Sequence, residues 1–244
     1  MINTIYRNLP NIASIVGVLP IGLLLLPDGH RFLIPLIIYN NIMDDLDGIL
    51  AARLNLRSSF GAMLDNVCDT VTHTLFVLAV GMHFGGLCAV AAGAAMVGLI
   101  LRVVSRLESP PVIPRGSPTN ELVRHLLFVL LLAGNYEFPV STVLVLVFVI
   151  NGIAMVVPFE MPHMIRSRAR SAAAIGGVNL ALVTAWLIPA MTAPIAAAFG
   201  LTFLYSFGSG MMLWLKGAAA NPPRVSVDAG ASVIQELDSE QPGH

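Results

Sequence analysis

Charge is what this sequence has least of. Only 11% of its 244 residues are Asp, Glu, Lys or Arg, against roughly 25% in a soluble domain. No polar stretch is long enough to fold alone, which excludes a soluble globular protein. Cysteine is nearly absent too. Cys68 and Cys88 both lie in apolar segments, too few for a disulfide framework or a metal site, and they read as packing residues. There is no internal repeat and no cleavable signal: the first apolar run, Ile12 to Leu26, follows Arg7 and ends in PDGH without a small-residue cleavage site. A net charge of −1 gives no sign of a polyanionic partner, and no nucleic acid is expected.

What is present is oil: 56% hydrophobic residues and a mean hydropathy of +0.81. A bilayer core of about 30 Å asks for about 20 apolar residues per helix. Apolar runs occur near 12–26, 32–52, 60–83, 86–105, 122–134, 139–158, 173–190 and 192–215. They predict an all-α, polytopic transmembrane bundle of about eight spans over residues 1–216. The fifth run is short, either a re-entrant segment or a helix extended by the polar stretch before it. Pro189 and Pro194, in IPAMTAP, are expected to bracket a tight turn. Residues 217–244 are small, polar and acidic and read as a disordered cytoplasmic tail.

Basic residues orient this map. If loops alternate sides, Arg31 stands alone on one side, and the other 12 of the 13 Lys and Arg residues share the opposite side. That asymmetry is the positive-inside pattern. It places both termini and the acidic stretch in the cytoplasm, with a bacterial inner membrane the expected location.

The acidic stretch is DDLDGILAARLNLRSSFGAMLDNVCD, residues 44 to 69, with five aspartates between two apolar segments. A charged side chain in a span costs about 2.5 to 3.5 kcal/mol on insertion scales, so such residues mark function. Asp44 and Asp47 are three apart, and Asp65 and Asp69 four apart, so on helices each pair shares a face. With LNLRSS (54–59) as the polar break, the two helices become antiparallel neighbours whose acidic faces meet. Four carboxylates there repel unless cations sit between them. An all-oxygen donor set favours Mg²⁺ or Mn²⁺ over zinc. Gly48 and Ala51 lie a turn beyond this face, and Gly61 one turn before Asp65. Small residues let a ligand come close, although each taken singly reads equally well as an ordinary helix contact in a membrane. Asp45 points about 100° away from Asp44 and is expected to be a solvated charge.

The spacing D-x2-D-G-x2-A, then G-x3-D-x3-D, is met by Asp44, Asp47, Gly48, Ala51, Gly61, Asp65 and Asp69. It resembles the signature of the CDP-alcohol phosphotransferase family, over about residues 5 to 215, with a six-helix catalytic core plus two helices. The resemblance implies an integral-membrane phosphatidyltransferase that takes CDP-diacylglycerol, transfers the phosphatidyl group to a small hydroxyl acceptor and releases CMP. It implies that Asp44, Asp47, Asp65 and Asp69 surround one or two divalent metals, with Asp69 as general base. It also implies that Gly48 and Ala51 leave room for the cytidine, with Gly61 grouped beside them, and that a homodimer is to be expected, since family members are often dimeric. One position departs: the family usually carries Arg after the Ala, where this chain has Ala52. Either Arg53 reaches round, or the cation comes from elsewhere.

The acceptor is less legible. Residues 154–170 resemble the stretch closing the sixth span of phosphatidylserine synthases, which favours serine; the loop at 108–125 lacks the Gly-Leu-Pro-type segment expected with it. Glycerol 3-phosphate and an inositol-type acceptor stay open. Arg102, Arg106 and Arg124 are candidates to bind an acidic group on the acceptor, or else headgroup anchors. His73, one turn beyond Asp69, is a candidate acceptor contact, and Asn40, one turn before Asp44, is a candidate to extend the polar face. Outside this reading stand a cation transporter, which would spread its carboxylates over repeats, and an inactive relative disabled at Ala52.

Overall fold

The computed structural model describes residues 2–108, 118–157, 159, 161–162 and 171–220, with side chains described only within 5–105, 118–157, 159, 161–162 and 171–216. Among them every regular element is helical. In chain order these are α1 (Ile2–Arg7), α2 (Leu9–Val18), α3 (Leu33–Arg53), α4 (Ser59–Phe84), α5 (Gly86–Glu108), α6 (Pro118–Ala133), α7 (Val140–Val156), α8 (Ala172–Leu187) and α9 (Pro189–Ala220), with 3₁₀ turns at Leu19–Leu25 and Gly29–Phe32 between α2 and α3. The first apolar run is divided between α2 and the 3₁₀ turn that follows it, and the other seven each fall mainly on one helix. Among the described residues three helices are long and apolar enough to cross a membrane, Ser59–Phe84, Gly86–Ser105 and Pro189–Lys216, against the eight spans expected.

Local chemistry explains most of the boundaries. Pro20 lies at the start of the first 3₁₀ turn, where it removes a donor and ends regular α-hydrogen bonding. Ser58, in extended conformation, caps α4 by accepting from Gly61 N at 3.0 Å, and Ser171 caps α8 in the same way. The short fifth run is a helix extended by the preceding polar stretch, since α6 begins at Pro118. Two boundaries differ from expectation. Only Ile188 separates α8 from α9, and Pro194 lies inside α9 rather than closing a turn. Thr192 Oγ1, donating to Ala185 O at 2.7 Å, holds the start of α9 against α8. The last helix also runs through Ala220, beyond the expected start of the tail; residues 221–244 lie outside the described residues, as do 109–117 and 163–170, on which part of the serine argument fell.

The interior is packed by Phe76, Val77 and Val80 of α4, Cys88, Ala92 and Leu99 of α5, Leu122, Leu126 and Leu127 of α6, and Leu144 and Phe148 of α7. Helices α5 and α7 approach closely at Gly98 and Gly152: a Cβ on Gly98 would stand 3.1 Å from Gly152 O, the small-residue contact usual between membrane helices. The exterior is oily as well, with Leu87, Val90, Leu180, Leu187, Leu201 and Leu213 all more than half exposed. An apolar outside over an apolar inside is what lipid solvation requires.

The two ends of the bundle are distinct. The start of α2, the end of α3 and the start of α4 lie together, and Arg7 and Arg57 line one cavity there. At the other end His30 stacks on His83 with ring centroids 4.1 Å apart. This agrees with the alternation of loops that the basic residues imply.

Candidate active site

The turn between α3 and α4 brings the acidic faces together. Asp47 is six residues before the end of α3 and Asp65 six after the start of α4, so each lies about 9 Å from its helix end at 1.5 Å per residue. Carboxylate oxygens of Asp44, Asp47 and Asp65 lie within 4.8 Å of one another. Asp44 and Asp47 are buried and Asp65 is partly buried. Asp69, one turn further along α4 and also partly buried, falls outside this group. Three oxygen donors at such spacing fit a hard divalent cation. Cys68 lies between the two α4 aspartates in sequence but does not join the cluster.

Neighbours aim these carboxylates. Ser14 of α2 donates its hydroxyl to Asp47 Oδ2, and Asn120 of α6 donates to Asp44 Oδ2 at 3.2 Å. Outside the cluster a cleft of about 400 Å³ opens, and its walls include Asp47, Gly48, Ala51, Gly61 and Asp65. Gly48 has nothing within 4 Å of the point a Cβ would occupy, so its missing side chain leaves free space. At Gly61 a Cβ would stand 3.1 Å from both Asn11 Oδ1 and Ser58 Oγ; glycine there admits α2 and the helix cap. A second, inner cavity of about 10 Å³ is lined by Asn40, Asn41, Asp44, His73, Asn120 and Val123. It brings His73 and Asn40 to the same side of the cluster.

The arginines divide. Arg124 is not at the start of α6 but inside it, and it is 2% exposed. Its Nη1 donates to Glu121 Oε1 at 2.9 Å, and Nε and Nη2 donate to Asn41 Oδ1 at 3.1 and 3.0 Å. A buried, fully engaged guanidinium is no headgroup anchor. The chain continues from Asn41 Nδ2 to Asn179 Oδ1 at 2.7 Å and from Asn179 Nδ2 to Asp45 Oδ2 at 2.8 Å. Asp45 is therefore not a solvated charge: it is 4% exposed, because α8 covers the side of α3 that faces away from Asp47. Arg53 is exposed in the last turn of α3 and lines neither the cleft nor the inner cavity. Arg102 is partly buried near the end of α5, and the side chain of Arg106 lies outside the described residues.

Sequence reasoning missed Ser14, Arg57, Asn120, Glu121 and Asn179. A signal existed for two of them: Ser14 and Asn179 lie inside apolar runs, where a polar side chain is costly and marks a contact; Arg57, Asn120 and Glu121 lie outside the runs.

An uncharacterized protein of Aquifex aeolicus (strain VF5) is 33% identical over 82 residues, covering 32% of this chain and 42% of that protein; the match thus spans less than half of its relative's length. The model of the CDP-alcohol phosphatidyltransferase family matches residues 7–157, a stretch that contains α2 to α7, the aspartate cluster and both cavities. With more than half of its length matched and the acidic residues of its two central helices gathered at one site, the chain belongs to the CDP-alcohol phosphatidyltransferase family.

Proposed function

We propose that this protein is a phospholipid-synthesising phosphatidyltransferase that passes the phosphatidyl group of CDP-diacylglycerol to a small hydroxylated acceptor, with serine the best fit, and releases CMP. The observation that carries the reading is the cleft in which Asp47 and Asp65 share walls with Gly48, Ala51 and Gly61. A nucleotide diphosphate needs carboxylate-held charge at one point and unobstructed backbone beside it.

Asp44, Asp47 and Asp65 would hold the divalent ion, Mg²⁺ or Mn²⁺, with Asp69 adjacent. That ion supplies charge neutralisation at the pyrophosphate, the main demand of phosphoryl transfer. Ser14 and Asn120 hold the orientation of Asp47 and Asp44. Asp69, outside the tight cluster, would take the acceptor's hydroxyl proton as the new phosphate ester forms. The inner cavity, lined by three amides, His73 and Asp44, is only about 10 Å³, room for a single water rather than for the acceptor, so the acceptor would enter from the cleft. Both ends of the chain and the cleft face the cytoplasm in this reading.

The test is CMP release by purified protein from CDP-diacylglycerol, with Mn²⁺ or Mg²⁺, across serine, glycerol 3-phosphate and inositol phosphate. Release stimulated by serine supports the proposal in full, and stimulation by another acceptor corrects only the acceptor. Thorough chelation stops the reaction and added metal restores it; activity that survives chelation removes the metal role. Folded protein that releases CMP with no acceptor defeats the transferase reading.

A further inference from the structure

The turn that joins α3 to α4 is pinned at both ends. Asn55 adopts a left-handed φ of 54°. Leu56 N donates to Ala51 O at 3.0 Å and Asn55 N to Ala52 O at 3.4 Å, the paired bonds of a Schellman close. Three residues after Asn55, Ser58 caps α4. Arg57 is the residue between Leu56, which the close folds back over α3, and that cap, so its backbone has little freedom.

Its side chain borders two spaces. Arg57 lines the carboxylate cleft and also an adjoining polar cavity of about 680 Å³, whose walls include Arg7, Asn8, Asn11, Asn55 and Ser58. The spaces share Asn11, Leu56, Arg57 and Ser58, which makes them one trough with carboxylates at its inner end and guanidinium groups further out. Among the described residues neither Arg7 nor Arg57 makes a hydrogen bond or ion pair. Arg53, the nearest basic residue to Ala52 in sequence, lines neither space.

We infer that Arg57 binds the phosphoryl oxygens of the nucleotide-linked substrate, supplying from the turn the cation that position 52 lacks, and that Arg7 continues this anion site outward. The inference rests on the transferase reading above. A ligand spanning the trough presents its diphosphate to the carboxylate-held ion on one side and to a guanidinium on the other. The planar fork of arginine suits two oxygens of one phosphate, which a lysine ammonium does not reproduce.

The test titrates detergent-purified wild-type protein and variants with CDP and with cytidine in Mn²⁺, alongside CMP release. Arg57→Ala is expected to weaken CDP binding about tenfold while leaving cytidine binding and the melting temperature unchanged. Arg57→Lys recovers part of the loss, Arg53→Ala matches wild type, and Ala52→Arg in the Arg57→Ala background restores CDP affinity. Raising the salt concentration weakens CDP binding more steeply in wild type than in Arg57→Ala. Unchanged CDP affinity in Arg57→Ala overturns the inference, and so does an equal loss for cytidine, which would mark a structural role. A loss confined to nanodiscs doped with phosphatidic acid would assign the site to a lipid headgroup and overturn it too. Wild type that neither binds CDP nor releases CMP removes the transferase reading and this inference together; wild type that does both, beside an unaffected Arg57→Ala, removes this inference alone.

Discussion

Under the proposed reaction, the one helical turn between Asp65 and Asp69 would separate holding a metal from taking a proton. Asp65 belongs to the group of three carboxylates and Asp69 does not, so Asp69→Asn should abolish transfer while CDP-lipid binding persists. Full activity in that variant would end its assignment as base. The two cleft glycines make a sharper pair. Gly48→Leu directs a side chain into open space, so the protein should melt as wild type while KM for the CDP-lipid rises about tenfold, equivalent to about 1.4 kcal/mol of binding. Gly61→Ala meets Asn11 and the capping Ser58, and should cost about 1 kcal/mol of stability through the disturbed cap. Equal melting of the two variants would show that the cap tolerates the methyl. The meeting of Asp44 and Asp47 with Asp65 was legible because the spacing within each helix fixes one face and the short polar break turns the two faces together. Arg57 was not, because its placement depends on a left-handed residue two positions earlier, which sequence periodicity does not report.

Among the helices, existence was far more legible than surroundings. Long apolar runs announced α3 to α9 because a helix of a bundle in lipid must be apolar over most of its length. Periodicity on α3 failed at Asp45 for a related reason. A helix in the middle of a bundle is buried on more than one side, so a residue 100° away from the active face meets another helix rather than water. Here that helix is α8, which lies beyond the matched residues 7–157 yet reaches α3 through Asn179. Asn179→Ala removes a donor from buried Asp45 and a partner from Asn41, and should lower stability by about 1 to 3 kcal/mol, read as a fall in melting temperature in detergent. Asn179→Asp, which sets a second carboxylate against Asp45, should be worse. Unchanged melting in both would mean that α8 adds cover and no more.

For the whole molecule, the asymmetry of basic residues and the asymmetry of the two ends tell the same story. In a chain with Cys68 and Cys88 replaced by alanine, Asp28→Cys should react with a membrane-impermeant thiol reagent from outside intact cells. Arg53→Cys should react only after permeabilisation. The opposite pattern would invert the molecule in its membrane. Composition alone made the oily exterior legible, since no arrangement of so few charges covers a surface with polar groups. The buried string from Glu121 to Asp45 was not legible, because it joins residues from three helices whose neighbours only folding decides.

The trough opens at one end of the bundle, beside Arg7 and Arg57, and that has a consequence for the membrane as a sheet. Under the proposed reaction CMP leaves into water, whereas the lipid remains in the monolayer in which it was made. Each turnover changes the headgroup composition of one leaflet and not the other. Sustained synthesis would therefore build a difference in composition and lateral pressure between the two monolayers, which only transbilayer lipid movement can relax.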